Sequence, residues 1–261
     1  MRYKIFALMT LLFVVERVIA IDPTTTVENP AEATSVPVQT EEGTRPNTAS
    51  HRLDSQKGLP APQGATAMPK PDRVWIDKKR GLVMVDGAIS LREGYLEMFA
   101  CPVGTKEHES VVAVDSRAQV VHAALLAIGA EPGHPVRFQP KFSPPAGPRI
   151  TIEVRWQDLQ GKWQSVPAQQ WILDSSTQKV LQQPWLFAGS GFWTDPATGK
   201  QYYQADAGDF ICVSNFSTAM LDLPIESSQD DGQRAFVANT KLIPPLGTPV
   251  RLVMKVEEKR E

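Results

Sequence analysis

The chain has 261 residues, of which 42% are hydrophobic and 21% are charged, so it is long and apolar enough to bury a core. Its 27 basic and 29 acidic residues leave a formal net charge of -2, which argues against a nucleic-acid surface and against a polybasic membrane patch. We therefore expect no nucleic-acid partner.

The first 20 residues have the three regions of a secretory signal peptide. A basic start precedes an apolar run from Ile5 to Val15, and Ala20 supplies the small residue before a cleavage site. The run is too short to span about 30 Å of hydrocarbon, and no later stretch approaches the roughly 18 apolar residues that a second span needs. We expect residues 1–20 to be removed and the mature chain to be exported, to the periplasm or outside the cell, without a membrane span.

Residues 21–71 have the composition of a disordered linker. They hold eight of the 22 prolines, contain no aromatic residue and show no hydrophobic period of 2 or 3.6. Such a stretch cannot bury enough apolar surface to offset its ordering entropy. One globular domain is therefore expected over residues 72–257.

The domain opens with strand patterns and then a helix. Apolar runs on both sides of residues 77–80 predict a hairpin, and residues 95–100 and 110–114 predict two further strands. A stripe of apolar residues at helical spacing predicts a helix over about 116–128, with Asp115 as its N-cap and Gly129 as its left-handed C-cap.

The second half of the domain is richer in strand patterns. Residues 150–156 alternate apolar and polar side chains and return after a polar turn, which predicts another hairpin. Residues 185–192, 201–215 and 249–256 predict further strands. We therefore expect an α+β fold with a mostly antiparallel sheet and one helix.

Three segments of the domain resemble a known family. They are Lys106–Ser110, His122–Gly129 and Phe187–Phe192, and together they resemble the YdjY-like domain of exported bacterial proteins. The resemblance covers residues 74–256. It implies an exported domain without an established activity or catalytic residues, so the chemistry has to be argued from the residues themselves.

One hypothesis for that chemistry is a histidine–carboxylate site. His108 and Glu109 lie between a glycine-containing loop and a strand, where side chains are often presented to ligands. With His122 and with Asp206 or Asp209, they could bind a divalent metal or transfer a proton. No H-E-x-x-H or C-x-x-C spacing supports this site, and the alternative is that His122 is a packed core histidine.

A second hypothesis is a binding surface for a glycan or a peptide. One region, close in sequence to Asp206 and Asp209, is crowded with aromatic residues: Trp171, Trp185, Trp193, Tyr202 and Tyr203. Aromatic faces stack on sugars and carboxylates bond hydroxyl groups. The alternative is that these aromatic side chains belong to the core.

The two cysteines and the glycine-flanked serine have structural explanations. Cys101 and Cys212 could form a disulfide in an oxidising compartment, or remain buried free thiols in neighbouring strands. Ser190 lies between two glycines but fits no nucleophile motif, so we expect a tight bend there.

The patterns favour a binding or accessory module of the cell envelope over an enzyme. We predict no cofactor, and the ligand or protein partner is not specified by the sequence. The rival interpretation is a metal-assisted or acid–base enzyme built on His108 and Glu109.

Overall fold

The fold is mostly β, with 37% of residues in strands and 11% in helices in a computed structural model that describes residues 58–227 and 235–257. The prediction of an α+β class is wrong, because the single α-helix has ten residues and adds no helical layer to a barrel of eight strands. The predicted signal peptide, residues 1–20, and most of the predicted linker lie outside the described residues.

The described part of the chain contains fifteen strands, one α-helix and three short 3-10 helices, Glu107–Glu109, Ala168–Trp171 and Gln204–Ala207. The helix is α1 (Ala118–Ala127). The strands are β1 (Thr66–Ala67), β2 (Val74–Asp77), β3 (Leu82–Ile89), β4 (Met98–Pro102), β5 (Ser110–Val114), β6 (Arg149–Gln157), β7 (Trp163–Pro167), β8 (Ile172–Asp174), β9 (Trp185–Phe187), β10 (Phe192–Thr194), β11 (Gln201–Tyr203), β12 (Ile211–Cys212), β13 (Leu221–Asp222), β14 (Phe236–Ala238) and β15 (Pro249–Val256).

Eight of these strands close into a barrel. Their order is β3, β15, β6, β9, β13, β12, β4 and β5, and β5 pairs with β3 to complete the ring. The pairings of β12 with β13 and of β4 with β5 are parallel, and the other six are antiparallel. Closure leaves the ring without a free edge, which satisfies the backbone groups of all eight strands.

Closure depends on two long strands, each of which shares one edge between two partners. The first half of β3 pairs with β2 and its second half pairs with β5. In the same way, β6 pairs with β7 along one part and with β9 along the other. Gly87 lies where β5 joins β3, and a Cβ atom there would collide with the carbonyl oxygen of Ala113. A glycine is required at that position because only a bare backbone permits the close approach.

The core is built around large aromatic side chains. Trp171, Trp185, Phe99, Phe187 and Phe210 are among the largest fully buried residues. The ring of Phe99 lies 5.6 Å from that of Trp185 and 6.4 Å from that of Trp171, centroid to centroid. The indole N–H of Trp185 donates to the carbonyl of Cys212 at 2.8 Å, so its one polar group is satisfied inside the core.

The helix α1 ends as predicted but begins differently. The N–H of Gly129, at φ +89°, donates to the carbonyl of Leu126 as expected of a left-handed C-cap. At the other end the predicted cap, Asp115, makes no capping hydrogen bond to α1, and distant carboxylates accept instead. Asp72 accepts from the N–H of Arg117 at 2.8 Å, and Asp206 accepts from the N–H of Gln119 at 2.9 Å. The N-terminus of α1 is therefore capped by carboxylates from distant parts of the chain.

No helix among residues 58–227 and 235–257 combines the length and the apolar character that a membrane crossing requires.

Residues 58–71, which the composition assigns to the linker, pack on the outside of the barrel. Leu59 is buried and β1 pairs with β2. The carbonyl of Leu59 accepts from Arg73 at 2.8 Å, and the carbonyl of Pro60 accepts from Arg251 at 2.8 Å. This segment is held by specific hydrogen bonds that its composition does not reveal.

The two arginines share one buried carboxylate. Asp86 accepts from Arg251 at 2.6 and 3.0 Å and from Arg73 at 2.6 Å. Both guanidinium groups also lie against the ring of Trp75, at 5.3 Å for Arg73 and 4.9 Å for Arg251. Asp86 is therefore the shared anchor of β3, β15 and the segment that precedes β2.

We expect the substitution Asp86→Ala to lower the free energy of unfolding by about 3–5 kcal/mol, because it leaves the buried Arg251 guanidinium without its carboxylate. Glu153→Ala is the matched control, since it breaks a more exposed pair with Arg155 and should cost less than about 1 kcal/mol. Urea unfolding followed by tryptophan fluorescence measures both. Equal losses in the two variants would contradict the anchoring role of Asp86.

Candidate functional site

Three of the predicted site residues meet around a lysine. The Nζ atom of Lys106 lies 3.1 Å from Oδ1 of Asp209, 3.8 Å from Oε1 of Glu109 and 3.9 Å from Oε2 of Glu97. His108 stands at the rim, 77% exposed, with its Nε2 atom 3.9 Å from Oε2 of Glu109. We call Lys106, Glu97, Glu109 and Asp209 the Lys106 cluster.

The parallel pairing of β4 with β5 places the cluster. Because the two strands run in the same direction, the chain must return from the end of β4 to the point where β5 starts beside Met98. The return segment ends in a short 3-10 helix, Glu107–Glu109. The N–H of Glu97 then donates to the carbonyl of Glu109 at 3.2 Å, which brings both carboxylates to Lys106.

The lysine side chain is packed along its whole length. Gly208 has φ +134°, and a Cβ atom there would lie 2.7 Å from Cγ and 2.8 Å from Cδ of Lys106. The ammonium group lies 4.3 Å from the ring centroid of Phe216. The aliphatic stem therefore crosses a bare glycine backbone, and the charge is held between an aromatic face and the carboxylates.

The cluster carries more negative than positive charge. The side chains of Glu97, Glu109 and Asp209 are buried, whereas that of Lys106 is 26% exposed. Thr218 donates its hydroxyl to Oδ2 of Asp209, which satisfies one oxygen. Three buried carboxylates are thus grouped around one partly exposed ammonium.

The ammonium of Lys106 lies among the carboxylates of the cluster. Of the residues proposed for a divalent metal, Glu109 lies 3.8 Å from this ammonium, and His108 lies 3.9 Å from Glu109. Among the residues described, no group of three or more His, Cys, Asp or Glu side chains is arranged to hold a metal ion.

His122 lies in a different environment from His108. Its ring packs edge-on against Phe187 and Tyr203, with centroids 4.9 and 5.4 Å away. Its Nδ1 atom lies 2.8 Å from the hydroxyl of Tyr203, which donates to the carbonyl of Gly189 at 2.9 Å, so Nδ1 carries the proton and donates. Burial lowers the pKa of His122. It is a half-buried histidine packed against two aromatic rings.

Asp206 is also engaged elsewhere, as a cap of α1. Burial raises the pKa of its carboxyl group, and the hydrogen bond from the N–H of Gln119 acts in the opposite direction. Of the two aspartates predicted together, only Asp209 belongs to the Lys106 cluster.

The bend predicted at Ser190 is present and links this cluster to the next strands. Gly189 and Ser190 have φ values of +92° and +55°. The hydroxyl of Ser190 donates to the carbonyl of Thr218 at 2.6 Å, and Thr218 in turn donates to Asp209. Ser190 thus has a positioning contact rather than the setting of a nucleophile.

The predicted aromatic surface is divided between core and solvent. Trp171 and Trp185 are fully buried, whereas Trp193 and Tyr202 are 51% and 43% exposed. The latter two face each other across β10 and β11, with ring centroids 5.8 Å apart and planes inclined by 35°. We call residues 192–203 the aromatic hairpin.

The turn of the aromatic hairpin is held by its own side chains. The carboxylate of Asp195 accepts from the N–H of Ala197 at 2.9 Å and from the hydroxyl of Thr198 at 2.6 Å. These hydrogen bonds, that of Thr198 first, lower the pKa of Asp195. Gly199, at φ +69°, then completes the turn that the sequence predicts.

The two cysteines are buried free thiols in this structure. Cys101 lies on β4 and Cys212 on β12, which are paired strands. Burial raises the pKa of both thiols, so neither has the character of a reactive thiolate.

Three residues of the Lys106 cluster environment are absent from the sequence-based hypotheses: Lys106, Glu97 and Thr218. Lys106 is the first residue of Lys106–Ser110, one of the segments that resemble the family. Its place in that segment is the sequence signal that could have identified it. Glu97 and Thr218 reach the cluster only through strand pairing and loop packing, which no local pattern reports.

Asp222, on β13, is a buried acid close to this region. Its Oδ1 atom accepts from Asn215 at 3.0 Å and from the N–H of Leu223 at 2.8 Å, whereas Oδ2 is buried without a hydrogen bond in the structure. Burial raises the pKa of Asp222 from 3.8 to about 7. The native state therefore holds a proton on this group that the unfolded chain releases near pH 4.

We expect Lys106→Met to lower the free energy of unfolding by more than about 2 kcal/mol, because it removes the ammonium that lies 3.1 Å from the buried carboxylate of Asp209. Glu97→Gln should lower it by less, since the ion pair that it removes is longer, at 3.9 Å, and glutamine keeps the size of the side chain. Chemical denaturation measures both. A Glu97→Gln variant as unstable as Lys106→Met would contradict the central place of Lys106 in the cluster.

Because the pKa of Asp222 is higher in the folded than in the unfolded chain, we expect its contribution to the free energy of unfolding to fall as pH rises from about 4 to about 7. Above pH 7 this contribution should not change further. Asp222→Asn cannot ionise and should remove most of this fall, as measured by melting temperature between pH 4.5 and 8. Asp174→Asn is the control: hydrogen bonds from Ser176 and Thr177 lower the pKa of Asp174 to about 2, so its contribution changes only below pH 4. If the melting temperature of Asp222→Asn falls with pH as steeply as that of the wild type, the fall does not come from Asp222.

Comparison with known proteins identifies the family. Neither the curated proteins nor the solved structures contain a match to this chain. The family model described as the YdjY domain matches residues 74–255, which begin at the first residue of β2 and end within β15. The chain therefore belongs to the YdjY domain family.

Proposed function

We propose that this protein is an exported binding module of the cell envelope that holds its ligand on the aromatic hairpin. The observation that carries the proposal is the half-exposed pair of Trp193 and Tyr202 on neighbouring strands. Large aromatic side chains that remain in water forgo the stabilisation of burial, about 25 cal/mol per Å² of apolar surface. Adjacent exposed aromatic rings are typical of interaction surfaces.

The hairpin is attached to the domain by the face opposite to the two rings. Tyr203 is buried against His122 and donates to the carbonyl of Gly189, and Phe192, itself 56% exposed, packs on Tyr203 at 5.3 Å. Because side chains alternate along a strand, Trp193 and Tyr202 point to the other face. Tyr203 thus anchors the hairpin while Trp193 and Tyr202 stay exposed.

Export is supported by the sequence of residues 1–20, and a spacer such as residues 21–57 would let the domain reach material away from its point of release.

A second candidate function is acid–base chemistry at the Lys106 cluster. It is favoured by the 3.9 Å distance between His108 and Glu109 and by the excess of carboxylates. Its test needs the captured ligand: conversion by the wild-type chain that is lost in both His108→Asn and Glu109→Gln would support it. A ligand recovered unchanged from wild type would count against it.

The binding proposal predicts that Trp193→Ala reduces binding to insoluble envelope material about tenfold or more, because a central aromatic anchor is lost. Trp163→Ala is the matched control, since Trp163 is 44% exposed on β7 and lies outside the hairpin. Co-sedimentation of the purified chain with envelopes from its native host measures both, with melting temperature as the folding check. Wild-type binding by Trp193→Ala would overturn the proposal.

A further inference from the structure

We infer that the ligand of the aromatic hairpin is an acidic polysaccharide, an inference that rests on the proposed binding function. The first argument is the exposed aromatic pair, Trp193 and Tyr202, which we call the platform. Its ring centroids lie 5.8 Å apart with planes inclined by 35°, and both side chains are about half exposed. The apolar face of a sugar ring can stack on an exposed aromatic face of this kind.

The second argument is that the hairpin is poorly suited to an extended peptide. Peptides that add to a sheet need a long free edge for main-chain hydrogen bonds. The strands β10 and β11 have three residues each and form a sheet of their own. Edges this short are among the devices that discourage strand addition.

The third argument is charge. The ammonium of Lys200 lies over the ring of Tyr202, 4.7 Å from its centroid, so a positive group is part of the platform. The nearest acid in sequence, Asp195, gives its oxygens to its own turn. Within residues 58–227 and 235–257, Lys200 makes no ion pair.

These features together select a ligand that offers apolar ring faces and carboxylates at once. Stacking on Trp193 and Tyr202 would supply most of the affinity, and Lys200 would select acidic over neutral sugars. An exposed ion pair contributes modestly in water, so the discrimination by Lys200 should be several-fold and sensitive to salt.

The experiment uses polygalacturonate and its methyl-esterified form, which differ in charge but share the sugar backbone. Affinity electrophoresis of the purified full chain should show stronger retardation by the acidic polymer. Lys200→Gln should weaken that retardation about fivefold and remove the preference for the acidic polymer over the ester, whereas Lys200→Arg should retain the preference. Trp193→Ala should abolish retardation by both polymers, and Trp163→Ala should abolish neither.

Two outcomes would overturn the inference, and each can be separated from failure of the proposed function. The first is equal retardation by the acidic and the esterified polymer. The second is binding to native envelopes that depends on Trp193 but is destroyed by protease treatment of the envelopes, which would identify a protein ligand. In the second case the aromatic hairpin remains a binding surface and only the polysaccharide assignment falls.

Discussion

The parallel pairing of β4 with β5 is the constraint on which both the barrel and the Lys106 cluster depend. With β5 fixed beside β4, its other edge pairs with β3 and closes the ring. The same pairing forces the chain to return along β4, and this return carries Lys106 and Glu109 back to Glu97. The barrel thus acquires a buried charged cluster as a result of how it closes. Gly87 and Gly208 make this possible at two points, where any larger residue would meet a backbone oxygen or the stem of Lys106.

The segments that carry the family resemblance are joined by a chain of hydrogen bonds. His122 contacts Tyr203, and Tyr203 donates to Gly189 in the third segment. Ser190, next in that segment, donates to Thr218, which bonds Asp209 and so reaches Lys106 in the first. These contacts meet at the bend at residues 189–190. Its positive φ angles position the carbonyl of Gly189 and the hydroxyl of Ser190. The helix, the cluster and the base of the aromatic hairpin are consequently coupled parts of one structure.

The sequence predicted local elements well and their assembly poorly. The predicted strands at 110–114 and 249–256 match β5 and β15, and α1 lies inside the predicted helix. These elements can be predicted from hydrophobic periodicity and capping residues, which are local features of the sequence. The prediction of an α+β class was wrong because no local sequence pattern indicates that β5 pairs with β3 and so closes the barrel. Likewise the cap of α1 comes from Asp72 and Asp206 rather than Asp115, since a distant carboxylate can replace a neighbouring one once the chain is folded. Of the candidate residues, His108, Glu109 and Asp209 come together, whereas His122 packs against two aromatic rings elsewhere.

The alternation of side chains along β11 explains why adjacent tyrosines have opposite roles. Tyr203 points inward, where its hydroxyl accepts from His122 and donates to Gly189, and burial raises its pKa far above the ordinary value. Tyr202 points outward beside Trp193 and stays exposed. Tyr203 therefore anchors the hairpin on the face opposite to Tyr202 and Trp193. Under the binding role that we propose, the two exposed rings would meet a ligand already adjacent, and less conformational entropy would be lost on binding than if they had to be brought together.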